Sequence, residues 1–248
     1  MLNRRIYIGL LPATPESPGQ FAVLDADLRL LLNGQGSDVE LAEIVSRYPK
    51  LTCAVAAPLT ASRGHLRKQT MRTRFGLNGT TTAAIKALRV CDFQLQQMGL
   101  AVSPVISTPA IALTEALQQL ALQPYHPASQ AERQLLEANP QASFATLIGR
   151  QPYPSTTLEG RLQRQLLLFD LGLPVPDAMQ VFEEITRHHL LRGTIKLTEL
   201  HTPEELNVLI TAFTAYLAGQ CPQDISLLGE ADEGQLVLPV AHLRPKYA

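Results

Sequence analysis

"LTCAVAAPL", residues 51 to 59, is the stretch whose reading decides the fold. It is a nearly unbroken apolar run ended at Pro58, with no alternation of apolar and polar positions. A strand of that kind keeps neither face for water, so it is covered on both. Upstream, "RIYIGLL", residues 5 to 11, is β-branched and apolar and reads as a second interior strand. "QFAVLDADLRLLLNGQG", residues 20 to 36, reads as a hairpin of two strands joined at "DAD". Ser37 and Glu40 then form a capping box, and Leu41, Ile44, Val45 and Tyr48 share one face of the helix it opens. Strand, hairpin, helix, strand is the order of an α/β protein with a mixed sheet carrying helices.

Downstream, a turn at Asn78 and Gly79 leads into a helix from about Thr82, and a further helical region runs from about Thr108 to Leu122. Pro124 and Pro127 place a loop after it, and "RQLLEANP", residues 133 to 140, is short and apolar enough for a fifth strand. Thr156 and Glu159 have capping-box spacing for another helix. The last helix is the best marked, with Thr202 as N-cap, Pro203 in its first turn and Glu205 closing the box. Its core face is Leu206, Leu209, Ile210, Phe213 and Leu217, while Glu204, Asn207 and Thr211 lie on another side. No internal repeat, low-complexity tract or linker divides the chain, so residues 1–248 are expected to form one domain with helical insertions.

A chain of 248 residues with 46% hydrophobic and 17% charged residues can bury a substantial core and is not of disordered composition. Cys53, Cys91 and Cys221 are odd in number and widely spaced, the pattern of reduced thiols in a cytoplasmic protein. The amino-terminal apolar run is short and stops at Pro12, and no segment is long enough to span a bilayer, so no membrane association is expected. P-loop, GxGxxG, GxSxG and HExxH motifs are absent.

The net charge is −1, but it is unevenly spread. Between Ala61 and Cys91 there is no acidic residue, while Arg63, Arg67, Lys68, Arg72, Arg74, Lys86 and Arg89 all fall there. Converging cations of this kind suit a phosphate-bearing partner; the alternative is that folding brings acidic side chains to them. Glu137, in "RQLLEANPQASFATLIGR" (133 to 150), has two readings as well: a working acid at a strand end, or an ordinary exposed carboxylate.

Several blocks with uncommon composition occur in order: "AVAAPLTASRG", "LRVCDFQLQQMG", "LLEANPQASFATLIG", "TLEGRLQRQLLL", "ELNVLITAFTAYLAG" and "LLGEADEGQLVLPV". Together, over roughly residues 5 to 240, they resemble the family called domain of unknown function 429, described as predicted nucleases of ribonuclease H-like fold. The resemblance implies a mixed five-stranded sheet flanked by helices. It also implies carboxylates that converge on Mg²⁺ or Mn²⁺ from the first strand, the fourth strand and a later element. Here the first-strand position is Leu10 and the fourth-strand position is Ala56, so the metal-carboxylate site is degenerate. Glu137 stands at a family acidic position, Glu204 is an acidic replacement and Asn207 is an amide where the family has Asp. The resemblance thus implies Glu137, Glu204 and Asn207 as the catalytic set, with Glu137 and Asn207 as metal ligands. Arg63, Arg67, Lys68 and Arg89 would bind phosphate, and Arg161 and Arg164, three apart on a helix, would add a cationic face. Asp92 is expected to pair with Arg89. Two functions remain open: a metal-dependent nuclease with an altered site, and a non-catalytic relative that binds nucleic acid or a protein partner.

Overall fold

The computed structural model describes residues 4–77, 82–102, 108–180, 187–194 and 198–247; the turn expected at Asn78 and Gly79 lies outside them. Only the first five residues of the apolar run at 51 to 59 form a strand, the one on which the sheet is built, and the chain leaves it before Pro58. This strand, β4 (Leu51–Val55), is buried throughout and pairs in parallel with β1 (Ile6–Leu11) on one side and with β6 (Arg133–Ala138) on the other. β1 pairs antiparallel with β2 (Gly19–Leu24), which pairs antiparallel with β3 (Leu30–Gly36). The β2–β3 turn is tied by Asp25, whose carboxylate accepts from the Asp27 and Arg29 amides at 2.8 and 2.9 Å.

The result is a mixed α/β sheet flanked by helices, with eight strands among the described residues where five were expected. The extra strands come from two places. β5 (Gln123–Pro124) is a two-residue strand parallel to the start of β6, in a stretch that prolines mark as loop. β7 (Ser226–Glu230) and β8 (Gly234–Leu238) form an antiparallel hairpin around "GEADEG", and β8 extends the sheet beyond β6, giving the order β3-β2-β1-β4-β6-β8-β7.

α1 (Asp38–Ser46) starts with the expected capping box at Ser37 and Glu40. After β4 come α2 (Gln69–Arg74), α3 (Ala83–Ala87) and α4 (Val90–Gln97). The helix expected from Thr82 is therefore broken in two, because Leu88 and Arg89 turn extended, at ψ 152° and 159°. α5 (Thr108–Gln119) precedes β5, and α6 (Pro140–Ile148) is capped by Asn139. α7 (Leu158–Asp170) is capped by Thr157 rather than Thr156: the Thr157 hydroxyl accepts from the Gly160 amide at 3.1 Å. α8 (Arg187–Arg192) is a short helix, and α9 (Pro203–Gln220) carries the box at Thr202 and Glu205. Its Thr211 is buried along with the expected apolar face, since the sheet lies on one side of α9 and α6 and α7 on another.

Alternate residues of the strands serve two cores. Tyr7, Ala22, Ala54, Leu136, Ala138 and Val237 pack with α9. Ile8, Leu10, Val23, Val55 and Leu135 face α1 and α5. Cys91 and Leu95 of α4 close that second side over Leu228, Leu236 and Leu238. No helix among the described residues is long and apolar enough to cross a membrane.

The α9 layer depends on a glycine. A Cβ on Gly9 of β1 would stand 2.5 Å from the Val208 carbonyl oxygen and 2.9 Å from Ala212 Cα, both backbone atoms of α9. Gly9→Ala is expected to lower stability by about 1–3 kcal/mol through overpacking, seen as an earlier urea midpoint with an unchanged slope. An unaltered midpoint would show that α9 does not press on β1.

Candidate functional site

Register places one row of side chains across the sheet on the α1–α5 side: Leu10, Val55, Glu137 and Leu236 are successive partners. Leu10, Val55 and Leu236 are fully buried, so Glu137 is an acid in an apolar row. It is 1% exposed, which makes it neither an ordinary surface carboxylate nor a free one.

Its partner is Arg89, 3% exposed. Arg89 Nη2 donates to Glu137 Oε1 at 2.6 Å and Nη1 donates to Oε2 at 2.7 Å, while the Leu59 amide donates to Oε2 at 3.0 Å. The other edge of the guanidinium grips Asp92, with Nε to Oδ2 at 2.8 Å and Nη2 to Oδ1 at 3.0 Å. Arg89 thus makes two fork-like pairs, the geometry that suits guanidinium and carboxylate best. The break between α3 and α4 is what allows this, because it places Arg89 at the N-cap of α4 with its side chain directed to the sheet. The expected pairing of Arg89 with Asp92 is present.

Burial pushes the Glu137 carboxyl up, against the opposing pull of the Arg89 guanidinium and the Leu59 amide. Burial alone would draw the Arg89 guanidinium down, but the Glu137 and Asp92 carboxylates more than offset it and hold the cation firmly protonated. Beside them, burial pushes the Cys91 thiol up to about 12, so it stays protonated at neutral pH.

A second acid, Glu233 in the turn just before β8, is completely buried and was not singled out by sequence reasoning. Its Oε1 accepts from the Arg63 amide at 2.7 Å and its Oε2 from the Val90 amide at 2.9 Å. The Ser62 hydroxyl and the His65 amide approach Oε1 at 3.4 and 3.5 Å. The Thr60 hydroxyl donates to its carbonyl oxygen. Glu233 thus caps α4, which has no side-chain cap of its own, and pins the loop after β4. The signal for it was the acidic turn "GEADEG" between two apolar runs, which marks a hairpin but not which acid turns inward.

The remaining candidates fall in three places. Glu204 is exposed and Asn207 half-buried on α9, on the face of the sheet opposite Glu137. Asn207 Oδ1 accepts from Gln141 Nε2 at 3.3 Å, and Gln141 Oε1 accepts from Arg164 Nη2 at 3.0 Å. Arg161 and Arg164 do not present a cationic face to solvent. Arg164 is buried and donates to the Tyr153 and Gly160 carbonyls at 2.7 and 2.9 Å; Arg161 donates to those of His201 and Leu200 at 2.8 and 2.6 Å. Their bonds to the Tyr153, Leu200 and His201 carbonyls fasten loops to α7. Arg63, Arg67 and Lys68 are exposed, and among the described residues none has a carboxylate within ion-pair distance. Arg74 and His65 do: Arg74 pairs with Glu230 at 2.6 Å and His65 with Asp232 at 3.0 Å.

A divalent cation of the Mg²⁺ class needs several anionic oxygens around one point. Both oxygens of Glu137 already accept from Arg89, Asn207 lies across the sheet, and among the described residues no group of three His, Cys, Asp or Glu side chains could hold a metal ion. The residues present do not fit such a centre. No family model, curated protein or solved structure matches the chain.

Removing one member of the buried set exposes its logic. Arg89→Met is expected to lower stability by about 3–5 kcal/mol, because it leaves Glu137 buried and unpaired. Adding Glu137→Leu to Arg89→Met restores a large part of that loss in urea titrations. If the double variant is no more stable than the single one, the unpaired charge is not the source of the loss.

Proposed function

We propose that this chain is a ribonuclease H-like protein that has lost metal-dependent hydrolysis and retains a phosphate-binding surface, acting as a non-catalytic nucleic-acid-binding protein. The observation that carries this reading is the occupation of both Glu137 oxygens by Arg89. Where metal chemistry would want converging carboxylates, the family positions on the first and fourth strands hold Leu10 and Ala56, and the row across the sheet holds Leu10, Val55, an Arg89-bound Glu137 and Leu236.

Three further observations support it. The central strand order β3-β2-β1-β4-β6, an antiparallel set of three followed by parallel additions, accords with the ribonuclease H-like reading of the sequence. Arg63, Arg67 and Lys68 stand exposed on a segment whose backbone is held by a buried acid, so the cations are anchored without being neutralised. Cys53, Cys91 and Cys221 are all unpaired, which accords with a reducing compartment such as the cytoplasm.

Phosphate contacts are sequence-independent and weaken with salt as counterions return. Labelled duplex or single-stranded nucleic acid should be retarded by the purified protein at low salt, with a log–log salt slope of about −2 to −3 for three phosphate contacts. Replacing Arg63, Arg67 and Lys68 together by Glu should abolish the shift without altering the melting temperature. No shift at micromolar protein and low salt would overturn the nucleic-acid reading and leave a protein-partner role. Cleavage that requires Mg²⁺ or Mn²⁺ and disappears in Glu137→Gln would overturn the non-catalytic one.

A further inference from the structure

The outer edge of β6 is divided between two neighbours. β5 pairs with it only at Gln134 and Leu135, and β8 only at Glu137 and Ala138. The sheet therefore forks, and a cavity of about 360 Å³ lies in the fork. Its buried floor is Leu135, Leu136, Val237 and Tyr125, and its exposed rim includes Gln118, His126 and Ala231. The walls are fixed: the Tyr125 amide donates to the Leu135 carbonyl at 2.8 Å and its hydroxyl to the Ala218 carbonyl at 2.8 Å, which holds the β5 side away from β8. Ligand pockets span roughly 300–1,000 Å³ and are mostly apolar with a few placed polar groups; this one is at the small end of that range and has that make-up.

The electrostatics select the ligand. Glu137 is the only Asp, Glu, Lys or Arg among the described residues that line the cavity, and both its oxygens are held by the Arg89 guanidinium behind it, which Asp92 shares. An anion entering would meet a carboxylate and no lining Lys or Arg. A cation would compete with a guanidinium already held by two hydrogen bonds. The carboxylate nonetheless has spare accepting capacity, since Oε2 accepts from Leu59 and Arg89 whereas Oε1 accepts from Arg89 alone.

From this geometry we infer that the fork between β5 and β8 is a binding site for a small uncharged, largely apolar molecule carrying one hydroxyl or N–H donor, which bonds to the free side of the Glu137 carboxylate. The site is separate from the cationic surface at Arg63, Arg67 and Lys68, so it stands or falls independently of nucleic-acid binding.

The chain has no Trp, so the fluorescence of an aromatic probe can be followed directly. Naphthol, naphthoate and methoxynaphthalene share a ring system and differ in charge and in the donor. Fluorescence anisotropy should show saturable one-site binding of naphthol to the full chain, with naphthoate at neutral pH and methoxynaphthalene each weaker by roughly tenfold or more. Ala231→Phe and Gln118→Phe, both at exposed rim positions, should each weaken naphthol binding by a similar factor while leaving the melting temperature in place. Absence of saturable naphthol binding up to millimolar probe would overturn the inference. So would equal binding of the three probes, or full naphthol affinity in both folded rim variants.

Discussion

The structure around the candidate site depends on one guanidinium. Arg89 lies between Glu137 and Asp92 with four hydrogen bonds of 2.6 to 3.0 Å, all at buried or nearly buried atoms. Desolvating such a set is expensive, and its net contribution to stability is small compared with the loss when one member is taken away. Its effect is therefore on arrangement more than on total stability. It joins the end of β6 to the start of α4 and interrupts what would otherwise be one helix from residue 83 to 97. Glu233 completes the frame by accepting main-chain donors from the loop after β4 and from α4.

This frame explains the division among the cations. Arg89, Arg161 and Arg164 are drawn inward because each finds a carboxylate or carbonyl oxygens for its terminal nitrogens. Arg63, Arg67 and Lys68 lie on a segment whose main chain is held by Glu233, so their side chains are left to solvent and to whatever anion approaches. The acidic hairpin turn tempers the field at one side only, through Glu230 on Arg74 and Asp232 on His65.

Much of this was legible in the sequence where local rules dominate. The interior strand at 51 to 55, the β2–β3 hairpin and the boxes at Ser37 and Thr202 follow from apolar runs and capping chemistry that act within a few residues. The eight-stranded sheet was not, because β5 is two residues long and β8 joins β6 through a pairing about 100 residues apart in the chain that periodicity cannot reveal. The sequence offers Glu137 as either a working acid or an exposed one and Arg89 as a phosphate-binding cation, whereas the two are buried against each other. An arginine in a basic run looks solvent-facing until the helix break at Leu88 and Arg89 is seen to turn it inward. The assignment of Glu204 and Asn207 to the same cluster failed on a matter of sides, since strand alternation sends Glu137 away from α9.

The position of Glu233 has a kinetic corollary. The acid that fastens the loop at Arg63 and the start of α4 lies 170 and 143 residues further along the chain. Contacts so distant in sequence are slow to form because the intervening chain must close first. The basic segment therefore has its anchor only after the carboxyl-terminal hairpin has joined the sheet. A nascent or carboxyl-terminally truncated chain would carry the same cations without the anchor that Glu233 gives their backbone.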